Sequence, residues 1–430
     1  MSKIILEVPK GTRDILPKEK ISRDNCISKI KKIFEVYGFS PIETPTFEKL
    51  EILENKSGAG ENSDAVSEIY RFKDQGNREL GLRYEFTFAL ARIVGQNPQL
   101  KMPFRRYQIG PVYRDGPIKA GRYREFYQCD VDIVGVSSVI ADAELLSLAK
   151  DVFKSLNLDI IIEVNSRKLL TDILNYSNID KDQATQVIIS IDKLKKIGIN
   201  EVKKELLGKE ISKEAIEKLM FLLTDLEKGS NTDKINYLEK RIGNTDGLQE
   251  IKELFKYLSL FKVEFIFSPT LARGLGYYTG PIFEIFLKDP SIISGSIAGG
   301  GRWDNLIGKY IGNENLKQPA TGISFGIEPI MDIILKKENI TRQSVCDLLI
   351  IPINTLEKSI EIAQYLRDKG IKTIVDLQSK SISKNLEYAS KLGIPFVGFI
   401  GEDELKQKKI KIRDMILGKE ELTDIDKVKL

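Results

Sequence analysis

The stretch that decides the fold is residues 104–135, FRRYQIGPVYRDGPIKAGRYREFYQCDVDIVG. Two apolar, aromatic-rich runs, 106–113 and 126–135, flank a loop that contains glycine and proline. This pattern predicts a β-hairpin whose loop is too long for a two-residue turn. The loop is either a solvated basic hairpin or a mobile loop that can close over a polyanion. Its basic side chains are Arg114, Lys119, Arg122 and Arg124.

The composition is that of a globular protein with a sizeable core. The chain has 430 residues, of which 42% are hydrophobic and 30% are charged, enough for two or three domains. No run approaches the roughly 18 apolar residues that span a bilayer, so no membrane segment is expected. The N-terminus lacks the apolar core of a secretory signal. Cys26, Cys129 and Cys346 are too scattered for a disulfide framework or a metal cluster, which fits a reducing cytoplasm.

Charge and histidine content limit the chemistry. The formal net charge of +4 is compatible with nucleic-acid binding but too small to indicate it. The chain has no histidine, which excludes imidazole as a general base, a metal ligand or a pH switch. Any reaction must therefore rely on carboxylates, arginine, lysine, tyrosine, the backbone or cofactors.

Helix and strand signals alternate before the hairpin. Apolar residues at helical spacing predict a helix over 22–37, and a short strand follows that stops at Pro45. Residues 79–84 predict a strand, and Glu85 comes where this strand gives way to a helix. The carboxylate is either placed to meet a ligand or favoured there by the helix dipole.

The pattern changes several times after the hairpin. Charged helical periodicity dominates 170–243, which we interpret as a largely helical insertion. Strand character returns at 263–267, and glycine-rich turns and strands then follow one another through short connections. That order favours a mixed or antiparallel sheet. Strand–helix alternation over 345–430 predicts a small α/β domain with a parallel sheet.

Arginines and glycines suggest a site for a phosphorylated ligand. Turns around Gly274, Gly299 and Gly322 allow close approach of the backbone, but none matches a dinucleotide fingerprint or a phosphate loop. A nucleotide must therefore be held in another way. Guanidinium groups bind phosphate oxygens in pairs, and the candidate clamps are Arg114, Arg122, Arg273 and Arg302.

Polar residues also lie on the predicted strands. Gln128 and Asp132 are four residues apart and so lie on the same face of one strand. Glu85, Tyr277 and Tyr278 lie at strand ends. Such a polar face is either exposed to solvent or satisfied by a ligand.

Several segments resemble a known family. PIETP, which ends at Pro45, the hairpin 112–135, and GISFGIE resemble motifs 1, 2 and 3 of class II aminoacyl-tRNA synthetases. LARGLGYYTG and AGGGRWDNLIG resemble the two signature motifs of the histidyl-tRNA synthetase family. PKGTRDILP near the start and LRYEFT before the hairpin agree with this resemblance, and the motif 2 loop is most similar to the archaeal-type branch.

The resemblance implies an α+β fold with an antiparallel six-stranded catalytic sheet flanked by helices. The catalytic domain would cover 1–335, with the helical insertion at about 170–243, and 345–430 would be a C-terminal α/β anticodon-binding domain. The implied activity is that of a histidine–tRNA ligase, which activates L-histidine with ATP and transfers it to the 3′ end of tRNA(His). Magnesium would bridge the ATP phosphates, and motif 1 would form a homodimer around 38–50.

The resemblance also implies residue roles. Arg114 and Arg273 would be catalytic, on the α-phosphate, and no histidine or cysteine would bind a metal. The amino-acid site would comprise Glu85, Thr87, Arg114, Gln128, Asp132, Arg273, Tyr277 and Tyr278. The ATP site would comprise Arg114, Arg122, Phe126, Arg273 and Glu328, with Phe126 stacked on adenine.

Three positions depart from the family pattern. Gly276 stands where the family usually has aspartate, and Gly116 where motif 2 usually has an acidic residue that helps to read adenine. Asp115 is a candidate to compensate for Gly116. Pro329 stands where motif 3 usually ends in an arginine that binds the ATP phosphates, and Arg122, Lys119 or another basic group would supply that charge instead.

The main alternative is a non-catalytic, synthetase-like regulatory subunit of histidine biosynthesis. Such subunits usually lack the C-terminal domain, whereas this chain has one with basic residues that would suit a phosphate backbone, Lys406, Lys408, Lys409 and Lys411. A synthetase for another amino acid is disfavoured by the segment RGLGYYTG. The lack of histidine has two explanations, compositional drift or selection for an enzyme that can be made when histidine is scarce.

Overall fold

The computed structural model describes residues 5–54, 67–118, 121–226, 228–273, 276–313, 318–337 and 341–430, apart from the side chain of Lys195. The chain divides into two compact units. The larger comprises Met1–Arg13 and Cys26–Ile333, and the smaller comprises Asp14–Asn25 and Ile334–Leu430.

The helices, in chain order, are α1 Pro17–Val36, α2 Leu50–Leu53, α3 Thr87–Gln96, α4 Ile140–Ser155, α5 Arg167–Tyr176, α6 Ala184–Asp192, α7 Leu194–Gly208, α8 Lys213–Leu226, α9 Asn231–Ile242, α10 Asp246–Leu260, α11 Leu306–Tyr310, α12 Ile327–Lys337, α13 Leu356–Asp368, α14 Ile382–Leu392 and α15 Glu402–Lys406. In the described ranges, no helix is long and apolar enough to cross a membrane.

The strands, in chain order, are β1 Ser40–Pro41, β2 Phe47–Lys49, β3 Arg71–Lys73, β4 Glu79–Leu82, β5 Phe104–Tyr113, β6 Glu125–Val134, β7 Ile160–Ser166, β8 Ile266–Phe267, β9 Pro281–Leu287, β10 Ala298–Arg302, β11 Ala320–Gly326, β12 Leu348–Pro352, β13 Thr373–Val375, β14 Phe396–Ile400, β15 Lys409–Asp414 and β16 Glu420–Asp424.

The predicted hairpin is present. Strands β5 and β6 pair antiparallel over their full length, with Phe104 opposite Val134 and Tyr113 opposite Glu125. Residues 114–124 connect them. Ten residues per strand, many of them aromatic or β-branched, favour this long pairing. The hairpin forms part of the centre of the main sheet.

The main sheet has the strand order β1-β5-β6-β11-β10-β9-β7-β8. The six central strands pair antiparallel throughout, which confirms the predicted six-stranded antiparallel sheet. The structure adds a two-residue parallel strand at each edge, β1 beside β5 and β8 beside β7. Two residues are too few for an alternating pattern, so the sequence did not indicate this pairing direction.

One face of the sheet is covered by helices. Phe325 on β11 packs against Phe34 of α1 and Phe153 of α4, with ring centroids 5.6 Å apart in both pairs. All three side chains are fully buried. Each such burial contributes about 1.5–3 kcal/mol. Neighbouring residues on β11 point to the opposite face, so that face remains available for a polar site.

Five helices, α5 to α9, occupy the segment predicted as a helical insertion, and its described residues contain no strand. Their apolar stripes are buried; in α8 they include Ile216, Leu219 and Leu223. The insertion leaves the sheet after β7 and, with α10, returns at β8. A separate three-stranded sheet, in the order β2-β4-β3, precedes the hairpin in the chain.

The smaller unit contains a five-stranded sheet in the order β13-β12-β14-β15-β16. The prediction of a parallel sheet is right for β12, β13 and β14 and wrong for β15 and β16, which pair antiparallel. A parallel connection needs a dozen or more residues. Helices α13 and α14 provide such crossovers, but the segments before β15 and β16 are too short.

Candidate active site

A pocket of about 220 Å³ opens on the polar face of the main sheet. It is smaller than the roughly 300–1,000 Å³ of pockets for drug-sized ligands, so it suits a small metabolite. All the residues that the sequence analysis gives to the amino-acid site line this one pocket: Glu85, Thr87, Arg114, Gln128, Asp132, Arg273, Tyr277 and Tyr278. Side chains from the start of α3, from β6 and from the segment before β9 therefore meet here.

Five other side chains in the lining were not predicted from the sequence, and they are Tyr84, Asp130, Trp303, Ile323 and Ser324. The sequence did contain a pattern that indicates Asp130. It lies between Gln128 and Asp132, and alternate residues of a strand share a face. The sequence offered no comparable signal for Ser324, because its position follows from the pairing of β11 with β6, in which it lies opposite Asp130.

Two glycines give charged side chains the room they occupy. A Cβ atom at Gly322 would lie 1.9 Å from Oδ1 of Asp132, and one at Gly299 would lie 2.1 Å from Nη1 of Arg273. Larger residues at these positions would displace the carboxylate or the guanidinium. The glycine-rich segments therefore admit charged groups against the backbone.

Three carboxyl groups are buried together in the pocket. Burial raises the pKa of Glu85 to about 7, of Asp130 to about 6 and of Asp132 to about 7. Arg114 partly offsets the effect for Glu85, and Arg106 does so for the two aspartates. These groups change charge close to neutral pH, where a cationic ligand would favour their ionised forms.

Two buried acceptor atoms that line the pocket have neither a hydrogen bond nor an ion pair with the described residues. They are Oε1 of Gln128 and Oδ1 of Asp130, although the other end of Gln128 donates from Nε2 to Oγ of Ser324 at 2.5 Å. Buried polar atoms without partners are rare in folded proteins. A ligand with N–H donors would satisfy them.

Two tyrosines form one wall of the pocket. The rings of Tyr277 and Tyr278 lie 4.8 Å apart and are inclined at 52°. Tyr277 donates from its hydroxyl to Oε1 of Glu85 at 3.3 Å. Burial raises the pKa of both phenols, and Glu85 raises that of Tyr277 further, so both remain neutral near pH 7.

Two arginines give the pocket positive charge. Burial opposes the charge of Arg273, but Tyr278 and Glu284 outweigh it and raise its pKa, so the side chain is a permanent cation. Its Nη1 lies 2.9 Å from Oε1 of Glu284. The guanidinium carbon of Arg114 lies 4.1 Å from the ring centroid of Tyr84 and 5.0 Å from that of Phe126. Cation–π contacts of this kind hold a guanidinium in a fixed orientation.

The other residues assigned to ATP do not line the pocket. Phe126 lies beside the pocket residue Arg114, whose guanidinium is over its ring. Arg122 is half-exposed and forms an ion pair with Glu68. Glu328 is buried, and its Oε2 accepts a hydrogen bond from the backbone N–H of Tyr127 at 2.9 Å. Lys119 and the turn residue Gly274 lie outside the described residues.

The prediction of Arg302 as a phosphate clamp is wrong. Its side chain is fully buried, forms an ion pair with Asp142, and donates to the backbone carbonyls of Val136 and Ser138 at 2.8 and 2.9 Å. These partners satisfy the guanidinium inside the protein. Asp115 does not face the pocket either, because it forms an ion pair of 3.0 Å with Arg124.

Two family models match the chain. The model of histidyl-tRNA synthetase matches residues 11–330, and that of the anticodon-binding domain matches residues 347–429. Histidine–tRNA ligase 1 of Bacillus cereus is 43% identical over 422 residues, which cover 96% of this chain and 96% of that protein.

Solved structures show the same fold. Histidyl-tRNA synthetase from Nostoc sp. superposes with a TM-score of 0.84 at 29% identity and covers 99% of this chain and 98% of its own. A protein from Bacillus halodurans, described as an ATP phosphoribosyltransferase regulatory subunit/histidyl-tRNA synthetase, has a TM-score of 0.73 at 21% identity, covering 90% of this chain and 97% of its own. The second likeness concerns the fold alone.

Proposed function

This chain belongs to the histidyl-tRNA synthetase family and is a histidine–tRNA ligase, and from that premise we propose that the pocket described above is where it activates histidine with ATP. The observation that carries the proposal is the meeting, in one small pocket, of three buried carboxyl groups, two acceptors without partners and two arginines. This set matches a ligand with a cationic amine, an imidazole N–H and an anionic carboxylate that reacts with a phosphate.

The amino acid would be held by complementary charges. Glu85, Thr87 and Asp132 would bind the ammonium group, and Gln128 would lie by the carboxylate and donate to it from Nε2 once its amide turns away from Ser324. Tyr277 and Tyr278 would frame the imidazole. The burial of Glu85 and Asp132 supports this assignment. A cationic partner stabilises the ionised form of a carboxyl group whose pKa is raised by burial.

The reaction would proceed in two steps. An oxygen of the histidine carboxylate attacks the α-phosphorus of ATP, the bond to the bridging oxygen breaks, and pyrophosphate leaves with the electron pair. The terminal ribose hydroxyl of the tRNA then attacks the acyl carbon, and AMP leaves. Arg114 and Arg273 would stabilise the charge that develops on the α-phosphate. No protein nucleophile takes part, so the lack of histidine is no obstacle.

ATP would lie along the loop 114–124, with adenine on the face of Phe126 opposite Arg114. Magnesium would be carried by the phosphate oxygens. Magnesium commonly binds through substrate phosphates with few protein ligands. When bound, it would neutralise phosphate charge.

The partners and domains are also part of the proposal. Residues 1–335 would form the catalytic domain, with the insertion at about 170–243, and 345–430 would bind the anticodon of tRNA(His). A cytoplasmic location is also part of the proposal, and it would keep the buried thiols of Cys26, Cys129 and Cys346 reduced. A homodimer would form around 38–50, and light scattering that shows only monomer at micromolar concentration would contradict it.

ATP–pyrophosphate exchange with each amino acid tests the function. Exchange with histidine alone is expected. The variant Glu85→Gln, which keeps the size of the side chain but removes its charge, should raise the KM for histidine more than the KM for ATP. Glu79→Gln, an exposed carboxylate on β4, is the matched control. No exchange with any amino acid would instead support the regulatory subunit.

A further inference from the structure

Glu68 contacts the loop that connects β5 and β6 at two points. Its backbone carbonyl accepts the N–H of Asp115 at 2.8 Å. Its two carboxylate oxygens accept from Nη2 of Arg122 at 3.0 and 3.3 Å. The residue is buried, with 8% of its surface exposed. One residue from outside the hairpin therefore holds both the first and the last part of the loop.

Gly116 fits against this carboxylate. A Cβ atom at Gly116 would lie 2.5 Å from Oε1 of Glu68 and 3.1 Å from Oε2. Any side chain there would push the carboxylate away from Arg122. Because position 116 has no side chain, the Glu68 carboxylate can lie directly over the loop backbone.

The same loop leads into the pocket. Arg114, its first residue, lines the pocket and donates its backbone N–H to the carbonyl of Arg124 at 2.9 Å. Tyr84 lies under Arg114, and burial is the main cause of the raised pKa of its phenol. The pair of Glu68 and Arg122 is close enough to contribute, because Glu68 raises this pKa and Arg122 lowers it. The pair of Glu68 and Arg122 therefore lies beside the nucleotide end of the proposed site.

Arg122 needs such a partner to be held in one place. Its side chain is 47% exposed, and a free arginine at the surface has many rotamers. A carboxylate that is 10% exposed and fixed by its own backbone contact supplies a rigid anchor. Charge-assisted hydrogen bonds to a planar guanidinium also restrict its orientation.

We propose that Glu68 is a positioning residue for ATP, which holds Asp115 and Arg122 in their observed places and keeps Arg122 directed at the nucleotide. This inference rests on the proposed placement of ATP along that loop. Nothing in it requires Glu68 to contact histidine. Its loss should therefore weaken the use of ATP and leave the use of histidine unchanged.

The test is pyrophosphate exchange by the full chain, with ATP and histidine varied in turn. Glu68→Gln keeps the shape and removes the charge, and Glu68→Ala removes both. Each should raise the KM for ATP about tenfold, the size of one lost charge-assisted hydrogen bond, with the KM for histidine unchanged. Glu54→Gln, which loses the exposed ion pair of 2.7 Å with Arg71, is the control and should alter neither constant.

A relocated carboxylate separates positioning from a general loss of structure. Gly116→Asp alone should raise the KM for ATP, because its Cβ overlaps the Glu68 carboxylate. Glu68→Ala combined with Gly116→Asp places a carboxylate in the same space and should recover part of the loss. An unchanged KM for ATP in Glu68→Gln and Glu68→Ala, equal rises in both KM values, or a double variant no better than Glu68→Ala would overturn the inference. Lack of exchange by the unaltered chain would instead contradict the proposed function.

Discussion

Arg106 and Asp132 lie opposite each other on β5 and β6 and form an ion pair of 2.6 Å between Nη2 and Oδ2. Both side chains are almost completely buried. Asp132 lines the pocket, and Arg106 provides a cation beside its carboxylate. The cation that stabilises this carboxylate therefore belongs to the hairpin itself and is present before any ligand binds.

Replacing Arg106 should destabilise the fold. Arg106→Met would leave a buried carboxylate without its cation, which costs about 3–5 kcal/mol. Urea unfolding followed by the fluorescence of Trp303, the single tryptophan, measures this change. Arg105→Met is the matched control, because its ion pair with Glu144 is partly exposed and should contribute less than about 1 kcal/mol. Equal losses in the two variants would contradict the argument.

The stability contributed by Glu85 should depend on pH. Its pKa is about 7 in the folded protein against an ordinary 4.5, so the folded state holds this proton more tightly than the unfolded chain. The contribution is therefore complete below about pH 4.5 and is lost as the pH rises to about 7. The free energy of unfolding of Glu85→Gln, relative to that of the unaltered chain, should therefore rise by up to about 3 kcal/mol from pH 5 to pH 8.

Urea unfolding at the two pH values checks this prediction. Glu79→Gln, exposed on β4, should show the same difference from the unaltered chain at both. If the difference in free energy of unfolding between Glu85→Gln and the unaltered chain does not change with pH, burial does not raise the pKa of this carboxyl group.

A methyl group at position 322 should impair histidine binding. Its Cβ would lie 1.9 Å from Oδ1 of Asp132, which cannot move freely because Arg106 holds the other oxygen. Gly322→Ala should raise the KM for histidine in pyrophosphate exchange at least about tenfold, the loss of one charged contact. Gly295→Ala has open space around its Cβ position and is the control. A normal KM for Gly322→Ala would mean that Asp132 does not bind the substrate.

Charge reversal in the smaller unit should weaken tRNA binding and leave adenylate formation unchanged. Lys409 and Lys411 lie on the same face of β15, and the double replacement by glutamate should lower kcat/KM for aminoacylation and reduce its dependence on salt. Pyrophosphate exchange should remain unchanged. Lys358→Glu, on the exposed surface of α13, is the control. Unaltered aminoacylation in the double variant would remove these lysines from the proposed tRNA surface.

Local periodicity predicted the hairpin and the shared face of Gln128 and Asp132, whereas the full set of amino-acid-site residues was implied by the resemblance to the synthetase family. Gln128 and Asp132 share a face because alternate residues of a strand point to the same side. Glu85 was predicted at a strand end because the strand pattern of 79–84 stops just before it. The short connections predicted a mixed or antiparallel sheet, and the resemblance implied the six antiparallel strands. These features need no knowledge of which distant segments meet.

The features that were wrong or missed depend on contacts between distant segments. Arg302 resembled a phosphate clamp because it follows three glycines, but its partner Asp142 is 160 residues away in the chain. The contact of Glu68 with Arg122 spans 54 residues and follows from no local pattern. The antiparallel pairing of β15 and β16 was missed because strand–helix alternation was extended past the point where the connections shorten.

The inclined pair of Tyr277 and Tyr278 has a spectroscopic consequence. An imidazole held beside these rings would experience their ring currents, and its C–H protons would shift away from their positions in free histidine. Because the chain contains no histidine, every imidazole signal in the proton NMR spectrum of a complex would come from the ligand. The bound substrate and its protonation state could thus be followed directly, without isotope labelling of either component.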